Sequence, residues 1–303
     1  MIVVAGESLV DLIVEPSMRV AAVPGGGPFN TARTIARLGG DAAFLSRIST
    51  DRFGRDARAR LAADGVRLDH IQSTDDPTTL AVAELDAHGA ATYRFYLAGT
   101  AAPGLSTDDI APILDGPPPE AVHIGTLGLV LEPLATTLEA LIGGLPEATL
   151  LMIDLNARPT ATPDPDAYRA RIARLLRRAD VVKASVEDLA FLHPGVDRPI
   201  ALGRLVDSGT AVVLLTDGAS PTVVAVGDAR RTVPVPSVTV VDTVGAGDAF
   251  GGGFLVALLR DGGGRVGLAN IDAVAAAATF GSHVAAITVG RAGADPPFAA
   301  ELT

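Results

Sequence analysis

Val241-Asp242-Thr243-Val244-Gly245-Ala246-Gly247-Asp248-Ala249-Phe250 carries strand-forming residues straight into Gly-Ala-Gly, and then into an apolar run of small residues that reads as a helix. Asp248 falls in that helix's first turn. The first N–H groups of a helix have no partners within it, and the aligned peptide dipoles add partial positive charge there. Glycines at such a point let an anion approach the backbone closely. An acid beside an anion site is what phosphoryl transfer needs to take the proton of an attacking hydroxyl. The same residues also describe a tight strand-to-helix turn capped by an aspartate, so the rest of the chain has to decide between the two.

A chain of 303 residues, 48% of them hydrophobic, can bury a large core as one big α/β domain or two smaller ones. No uninterrupted apolar run approaches the ~18 residues of a membrane span. The nearest, Ala273 to Val289, is broken by Ser282 and His283 and reads as a buried helix followed by a strand. The chain enters directly as a strand, Met1 to Ala5, without the basic region or cleavage site of a signal peptide. It has no cysteines, hence no disulfide or thiolate chemistry. A cytoplasmic protein without a membrane partner is the expectation. The net charge of −11 argues against nucleic acid, so an anionic ligand would have to be held by local features.

Along the chain, Leu9 to Val14 continues extended and carries one acid, Asp11. After Pro24-Gly25-Gly26-Gly27-Pro28-Phe29-Asn30, helical spacing runs from Thr31 to Leu38 and stops at Gly39-Gly40. Ala43 to Ile48 reads as a strand and Asp51 to Ala63 as a helix. Leu80 to Leu85 and Ala91 to Tyr96 flank Asp86-Ala87-His88-Gly89, a hairpin signature. Such an insertion serves either as a lid or as extra sheet. Strands at 121–124, 149–155, 179–182 and 211–215 then alternate with helical patterns near 132–142, 166–178, 186–192 and 199–208. A further hairpin pairs Thr222–Val226 with Arg231–Val235. Alternation of this kind argues for a mainly parallel sheet covered by helices, in one continuous domain.

Rival phosphate-binding folds do not fit. A P-loop needs Gly-Lys-[Ser/Thr], yet the sole lysine lies in Val182-Lys183-Ala184. A dinucleotide fold, and hence a dehydrogenase, wants three spaced glycines after the first strand, where Gly6 stands alone. Gly251, Gly252 and Gly253 fall inside the late helix, where close packing accounts for them. The five histidines show no metal-ligand spacing.

Asp242-Thr243-Val244-Gly245-Ala246-Gly247-Asp248 resembles the signature of the ribokinase-like (PfkB) carbohydrate kinases. Gly25-Gly26-Gly27-Pro28-Phe29-Asn30-Thr31-Ala32, leading to Leu38-Gly39-Gly40, resembles the amino-terminal signature of the same family. The likeness covers essentially the whole chain and is greatest to the fructokinases. It implies a three-layer α/β/α sandwich over 1–303 with a mainly parallel central sheet, and a small β-lid formed from about 12–24 and 79–98.

By that resemblance Asp248 is the general base, and Gly245, Ala246 and Gly247 form the anion hole. Asp11 and Asn30 bind sugar hydroxyls, and Gly25 and Gly26 let the backbone pass close to the sugar. Asp154-Leu155-Asn156-Ala157-Arg158 resembles the D-x-N-x-R segment of fructokinases and 2-keto-3-deoxygluconate kinases, with Arg158 on a substrate carbonyl or a phosphate. It lacks the Leu-Trp that often follows. Val182 to Leu189 resembles the region around Mg²⁺ and phosphate, which implies nucleotide-side roles for Lys183 and Ser185. Asp188 replaces the usual glutamate there as a water-mediated Mg²⁺ residue, and Ser185 with Asp188 equally makes a helix cap. Thr216 and Gly218 resemble a turn near the nucleotide, with Pro221 in place of a later glycine. Asp242 and the carbonyl of Val244 match positions that hold a monovalent cation such as K⁺ in many relatives. Arg94 and Tyr96 share one face of the lid hairpin and Tyr93 and Phe95 the other; one pair reaches the substrate, and Arg94 with Tyr96 is the pair taken as substrate residues.

The resemblance thus implies an ATP-dependent sugar kinase using Mg²⁺, with fructose as the best single substrate and a homodimer formed through the lid. Within the class, 2-keto-3-deoxygluconate is the main alternative, followed by ribose or a nucleoside. A sugar or nucleotide sensor on the same fold is the alternative outside it.

Overall fold

The structure is a computed structural model that describes residues 1–86, 91–260 and 264–302. Its strands are β1 (Ile2–Ala5), β2 (Leu9–Val14), β3 (Val20–Gly25), β4 (Ala42–Ser49), β5 (Ile71–Thr74), β6 (Leu80–Leu85), β7 (Ala91–Tyr96), β8 (Ala121–Gly125), β9 (Leu150–Asp154), β10 (Val181–Ser185), β11 (Val212–Asp217), β12 (Ser220–Val226) and β13 (Ala229–Val233). The α-helices are α1 (Gly27–Arg37), α2 (Arg52–Ala63), α3 (Ala111–Leu114), α4 (Leu134–Gly144), α5 (Pro165–Leu176), α6 (Val186–Leu192), α7 (Arg198–Val206), α8 (Ala246–Arg260) and α9 (Ile271–Val289).

Among the described residues, nine strands form one sheet in the order β13-β12-β11-β10-β9-β8-β1-β4-β5. Pairing is parallel from β11 to β5 and antiparallel in the β11-β12-β13 hairpins. The central strands are buried on both faces, as parallel strands covered by helices must be. Alternate residues serve two cores. Val4, Met152 and Leu214 pack with α1, α2, α8 and α9 on one side. Val3, Ile124 and Ile153 pack with α4, α5, α6 and α7 on the other. The result is a three-layer sandwich with the carboxyl ends of the parallel strands opening along one edge.

A second sheet of four strands, in the order β3-β2-β6-β7, stands over that edge. It starts at Leu9, so Asp11 belongs to this smaller sheet. Its β6–β7 pair is the expected hairpin, whose turn from residue 87 on lies outside the described residues.

Three local readings change. Helix α1 begins at Gly27 rather than Thr31, because proline is tolerated in a first helical turn and Gly26 supplies the entry conformation at φ +109°. The valines before Gly245 form no strand; Val240 and Val241 are exposed. β-Propensity needs a neighbouring strand edge to be realised, and Val241 and Asp242 instead donate to the carbonyl of Val289. Finally, 271–289 is one helix with no strand at its end. Gly253 faces Gly281 closely enough for α8 and α9 to pack along their length, and that packing overrides the β-branched residues at the helix's end. Helix α9 is long and apolar enough to cross a membrane by length and composition, yet Val274, Ala277, Ala278 and Val284 are buried in the core against α8 and the sheet.

Candidate active site

Ligands of parallel α/β sheets bind beyond the carboxyl ends of the strands. Here a cavity of about 700 Å³ lies there, between the edge of the large sheet and the four-stranded sheet. Its floor is the start of α8, with Gly245, Gly247 and Asp248, together with Gly26, Gly27 and Asn30 at the start of α1. Its roof is Leu9, Asp11, Ala81, Tyr93 and Phe95, and Thr126, Asn156 and Arg158 line its side.

On the floor, Asn30 Nδ2 donates to Asp248 Oδ2 at 2.9 Å. Gly27 is what lets α1 come so near, since a Cβ there would strike Thr126 and lie 3.2 Å from Asp248 Oδ1. Within α8's first turn, Ala246 N–H goes to Thr243 and Ala249 N–H to Gly245. The amides of Gly247 and Asp248 have no acceptor within the helix. Burial pushes the Asp248 carboxyl up to about 6; Asp154 adds to the rise, while Asn30, Lys183 and Arg158 oppose it. The group is therefore ionised at neutral pH yet more basic than an ordinary aspartate.

Lys183 lies beneath this floor. Its Nζ donates to Asp154 Oδ2 at 2.7 Å, both side chains buried, and a Cβ on Gly247 would come within 3.1 Å of Nζ. Parallel register puts Lys183 directly opposite Asp154 on the neighbouring strand. The chain's sole lysine is thus a buried cation under the Gly245–Gly247 turn.

On the roof, register sets Asp11 opposite Ala81, and Ala81 opposite Phe95. Burial pushes Asp11 up to about 6, with Arg158 opposing and Asp242 adding to the rise. The side chain needs Gly25, where a Cβ would overlap Asp11 Oδ2; Gly25 supports the acid and does not line the cavity. The hairpin presents to the cavity the face opposite to the expected Arg94–Tyr96 one. Tyr93 and Phe95 line the cavity, stacked with centroids 6.4 Å apart, while Arg94 turns outward toward Glu84 and Tyr96 is exposed. Strand alternation predicted the pairs, but only the pairing of β7 with β6 selects the inward one.

Arg158 Nη1 donates to Asn156 Oδ1 at 2.6 Å, which holds the guanidinium at the cavity wall. Asn156 and Thr126 both have positive φ, 34° and 57°. That conformation is unusual for any residue with a Cβ and most of all for a β-branched one, and strain of this kind collects at functional sites. Glu7 is a further member that sequence reasoning missed. Its carboxyl is fully buried beside the cavity, accepts from Gly128 N at 3.0 Å, and is pushed up to about 8 by burial. Its one sequence signal is an acid directly after the first buried strand.

Toward β10 and β11 lie the residues assigned to the nucleotide side. Ser185 and Thr216 face each other at the strand ends, and Gly218 turns the chain at φ +53°. Asp188 caps α6 reciprocally with Ser185 and also accepts from Ala157 N at 2.6 Å, so both its oxygens serve backbone amides. This arrangement suits an indirect contact to Mg²⁺ and not a direct one. Asp242 accepts from Val244 N and Gly293 N at 3.0 and 2.9 Å, stapling the turn before Gly245. Among the described residues no cluster of three or more His, Cys, Asp or Glu forms a metal cage.

Known proteins share this sequence pattern and fold. A profile of the pfkB family carbohydrate kinases matches residues 1–300. The fructokinase of Rhizobium leguminosarum bv. trifolii is 35% identical over 265 residues, covering 86% of this chain and 80% of that protein. The crystal structure of Xylella fastidiosa fructokinase with bound ATP superposes with a TM-score of 0.88 at 28% identity, covering 97% of this chain and 93% of that one. Vibrio cholerae O395 fructokinase, bound to fructose, ADP and calcium, gives 0.85 at 30% identity, covering 97% and 94%. In sequence and fold alike, this chain belongs to the pfkB family of carbohydrate kinases.

Proposed function

We propose that this chain transfers the γ-phosphate of ATP to fructose, giving fructose 6-phosphate. The observation that carries the reading is Asp248, buried at the first turn of α8 and bonded to Asn30, inside a cavity of about 700 Å³. Asp248 accepts the proton of the attacking hydroxyl, and its raised basicity suits that task at neutral pH. The amides of Gly247 and Asp248, at the turn Gly245–Gly247, receive the charge that develops on the transferred group, whereas the Ala246 N–H donates to the Thr243 carbonyl. Asp11 and Asn30 hold sugar hydroxyls, and the Tyr93–Phe95 face closes the roof and excludes water. Lys183 contributes fixed positive charge beneath the phosphate. Ser185, Thr216 and Gly218 serve the nucleotide.

Mg²⁺, when bound, neutralises phosphate charge; Asp188 would meet it through water. Asp242 and the Val244 carbonyl would hold a monovalent cation such as K⁺ that orders the anion-hole turn. Residues 1–303 act as one unit with the four-stranded sheet as lid. That sheet exposes Val20 and Tyr96, and its β2–β3 turn exposes Met18, which supports a homodimer through it. The reaction is assigned to the cytoplasm, where ATP is available.

Among the described residues lining the cavity, Arg158 is the one cation, which favours an unphosphorylated sugar over a sugar phosphate. The same arginine supports the second reading, 2-keto-3-deoxygluconate, whose carboxylate it would pair. A coupled ADP-release screen over hexoses, pentoses, keto-deoxy acids and nucleosides separates these. Fructose is expected to give the highest kcat/KM. A tenfold preference for the keto-deoxy acid would replace fructose, and absence of ADP release with every sugar would remove the kinase reading.

A further inference from the structure

Helix α1 carries Asn30, Arg33 and Arg37 at spacings of three and four, which places them along one face. Asn30 reaches the base. One turn later Arg33 Nε donates to Asp64 Oδ2 at 2.5 Å and its Nη1 to the carbonyl of Ala294 at 2.9 Å. Arg37 completes the group, donating to Asp64 Oδ1 at 2.8 Å and to Asp295 Oδ1 and the Pro296 carbonyl at 2.6 Å each. The Arg33 and Asp64 side chains are 7% and 6% exposed. A buried ion pair is weak as a source of stability alone, because apolar packing often does as well. What this one holds in place is more informative.

Ala294 presses on Gly245, whose φ is +78°; a Cβ on Gly245 would come within 2.5 Å of the Ala294 Cβ. The adjacent Gly293 N donates to Asp242 Oδ2, and Asp242 Oδ1 takes Val244 N. Residues 293 and 294 therefore brace both ends of the turn 242–245 that enters the anion hole. Arg33 grips that brace and also sits one turn from Asn30. We propose that Arg33 is a positioning residue, coupling the sugar-side helix to the anion-hole turn through Ala294. The inference rests on the anion-hole reading of Gly245–Gly247. Only a planar fork serves Asp64 and the Ala294 carbonyl together; a lysine keeps the charge but not both directions.

The test compares Arg33→Lys, Arg33→Met and Ala294→Gly with Asp180→Asn. Asp180 pairs with Arg178 and Arg265 at 3.1 and 2.8 Å at the opposite, amino-terminal end of the strands, and so controls for loss of a buried ion pair. Because an anion hole acts on charge present only in the transition state, kcat should fall while KM for the sugar holds. Arg33→Lys and Ala294→Gly should lower kcat about fivefold or more, and Arg33→Met about 30-fold, with KM within about twofold. Amide exchange across 242–248 should speed up about tenfold in each, and not in Asp180→Asn. Asp180→Asn should lose thermal stability and keep its kcat per folded molecule. Wild-type kcat and unchanged exchange in Arg33→Lys and Arg33→Met would overturn the proposal. If the wild-type chain itself turns over no sugar, the proposed function fails separately, and exchange across 242–248 still decides the clamp.

Discussion

The floor and roof of the cavity each place one aspartate against the ligand space, and burial pushes both up to about 6. They are built differently. Asp248 stands at the start of a helix packed against the interior of the large sheet, is bonded to Asn30, and lies above a buried Lys183–Asp154 pair. Asp11 stands on a four-stranded sheet whose far face is open, beside Tyr93 and Arg158 and with Gly25 making room for it. The proposed base, Asp248, thus sits on the thicker, more buried layer, where small misplacements are expensive. Of the proposed sugar contacts, Asp11 sits on the thinner sheet, where movement is cheaper, while Asn30 and Arg158 belong to the floor and side.

The sharpest way to break this contrast is Asp248→Asn. Turnover should fall about 10³-fold or more while nucleotide binding by calorimetry stays near wild type. Near-normal turnover would falsify the general-base assignment and make the floor merely structural. In the wild type, kcat/KM for the sugar should decline as pH drops below about 6, because both carboxyls then protonate and neither a base nor an anionic sugar contact remains.

A smaller effect separates the two faces of the roof. Tyr93→Ala should raise KM for the sugar about tenfold, since Tyr93 lines the cavity. Tyr96→Ala should change it less than about twofold, since that side chain does not line the cavity. Steady-state kinetics with the nucleotide saturating reads both, and equal effects would mean that the roof twists on closing.

The smallest effect concerns Glu7. Its carboxyl sits at about 8 in the folded chain against 4.5 when free, so the folded form keeps the proton over a range where the unfolded form has lost it. Stability from that group is fully present below 4.5 and is lost as pH rises through 8. Glu7→Gln, which preserves an acceptor for Gly128 N, does not titrate. Its melting temperature should match wild type near pH 4 and exceed it by roughly 5 °C near pH 8. Parallel curves across that range would show that Glu7 is ionised throughout and belongs with the charged groups of the floor.

Much of the floor was legible because its signals are local. A helix beginning at a glycine run, an asparagine at the start of α1 and small residues within α8 leave marks within a few consecutive residues. Gly251, Gly252 and Gly253 read as packing glycines, and a Cβ on Gly252 or Gly253 would meet Thr34 or Gly281. The roof was legible only as a hairpin. Its inward face depends on which neighbour β7 pairs with and in which register, and a slip of one residue would exchange Tyr93 for Arg94. The exposed valines before Gly245 misled for a related reason: propensity speaks for a strand, and no strand edge lies beside them to make one.

Sequence by itself determined the alternating βα order, the two glycine-rich helix starts and the acid beside the second of them. Each follows from backbone freedom at glycine and from unpaired amides at a helix start, which a few neighbouring residues control. Tertiary structure decided that Lys183 faces Asp154, that Glu7 and Thr126 join the cavity, that Tyr93 points in, and that Arg33 grips the Ala294 carbonyl. Those are contacts between segments far apart in the chain. They depend on strand register and helix packing, quantities that no short stretch of residues contains.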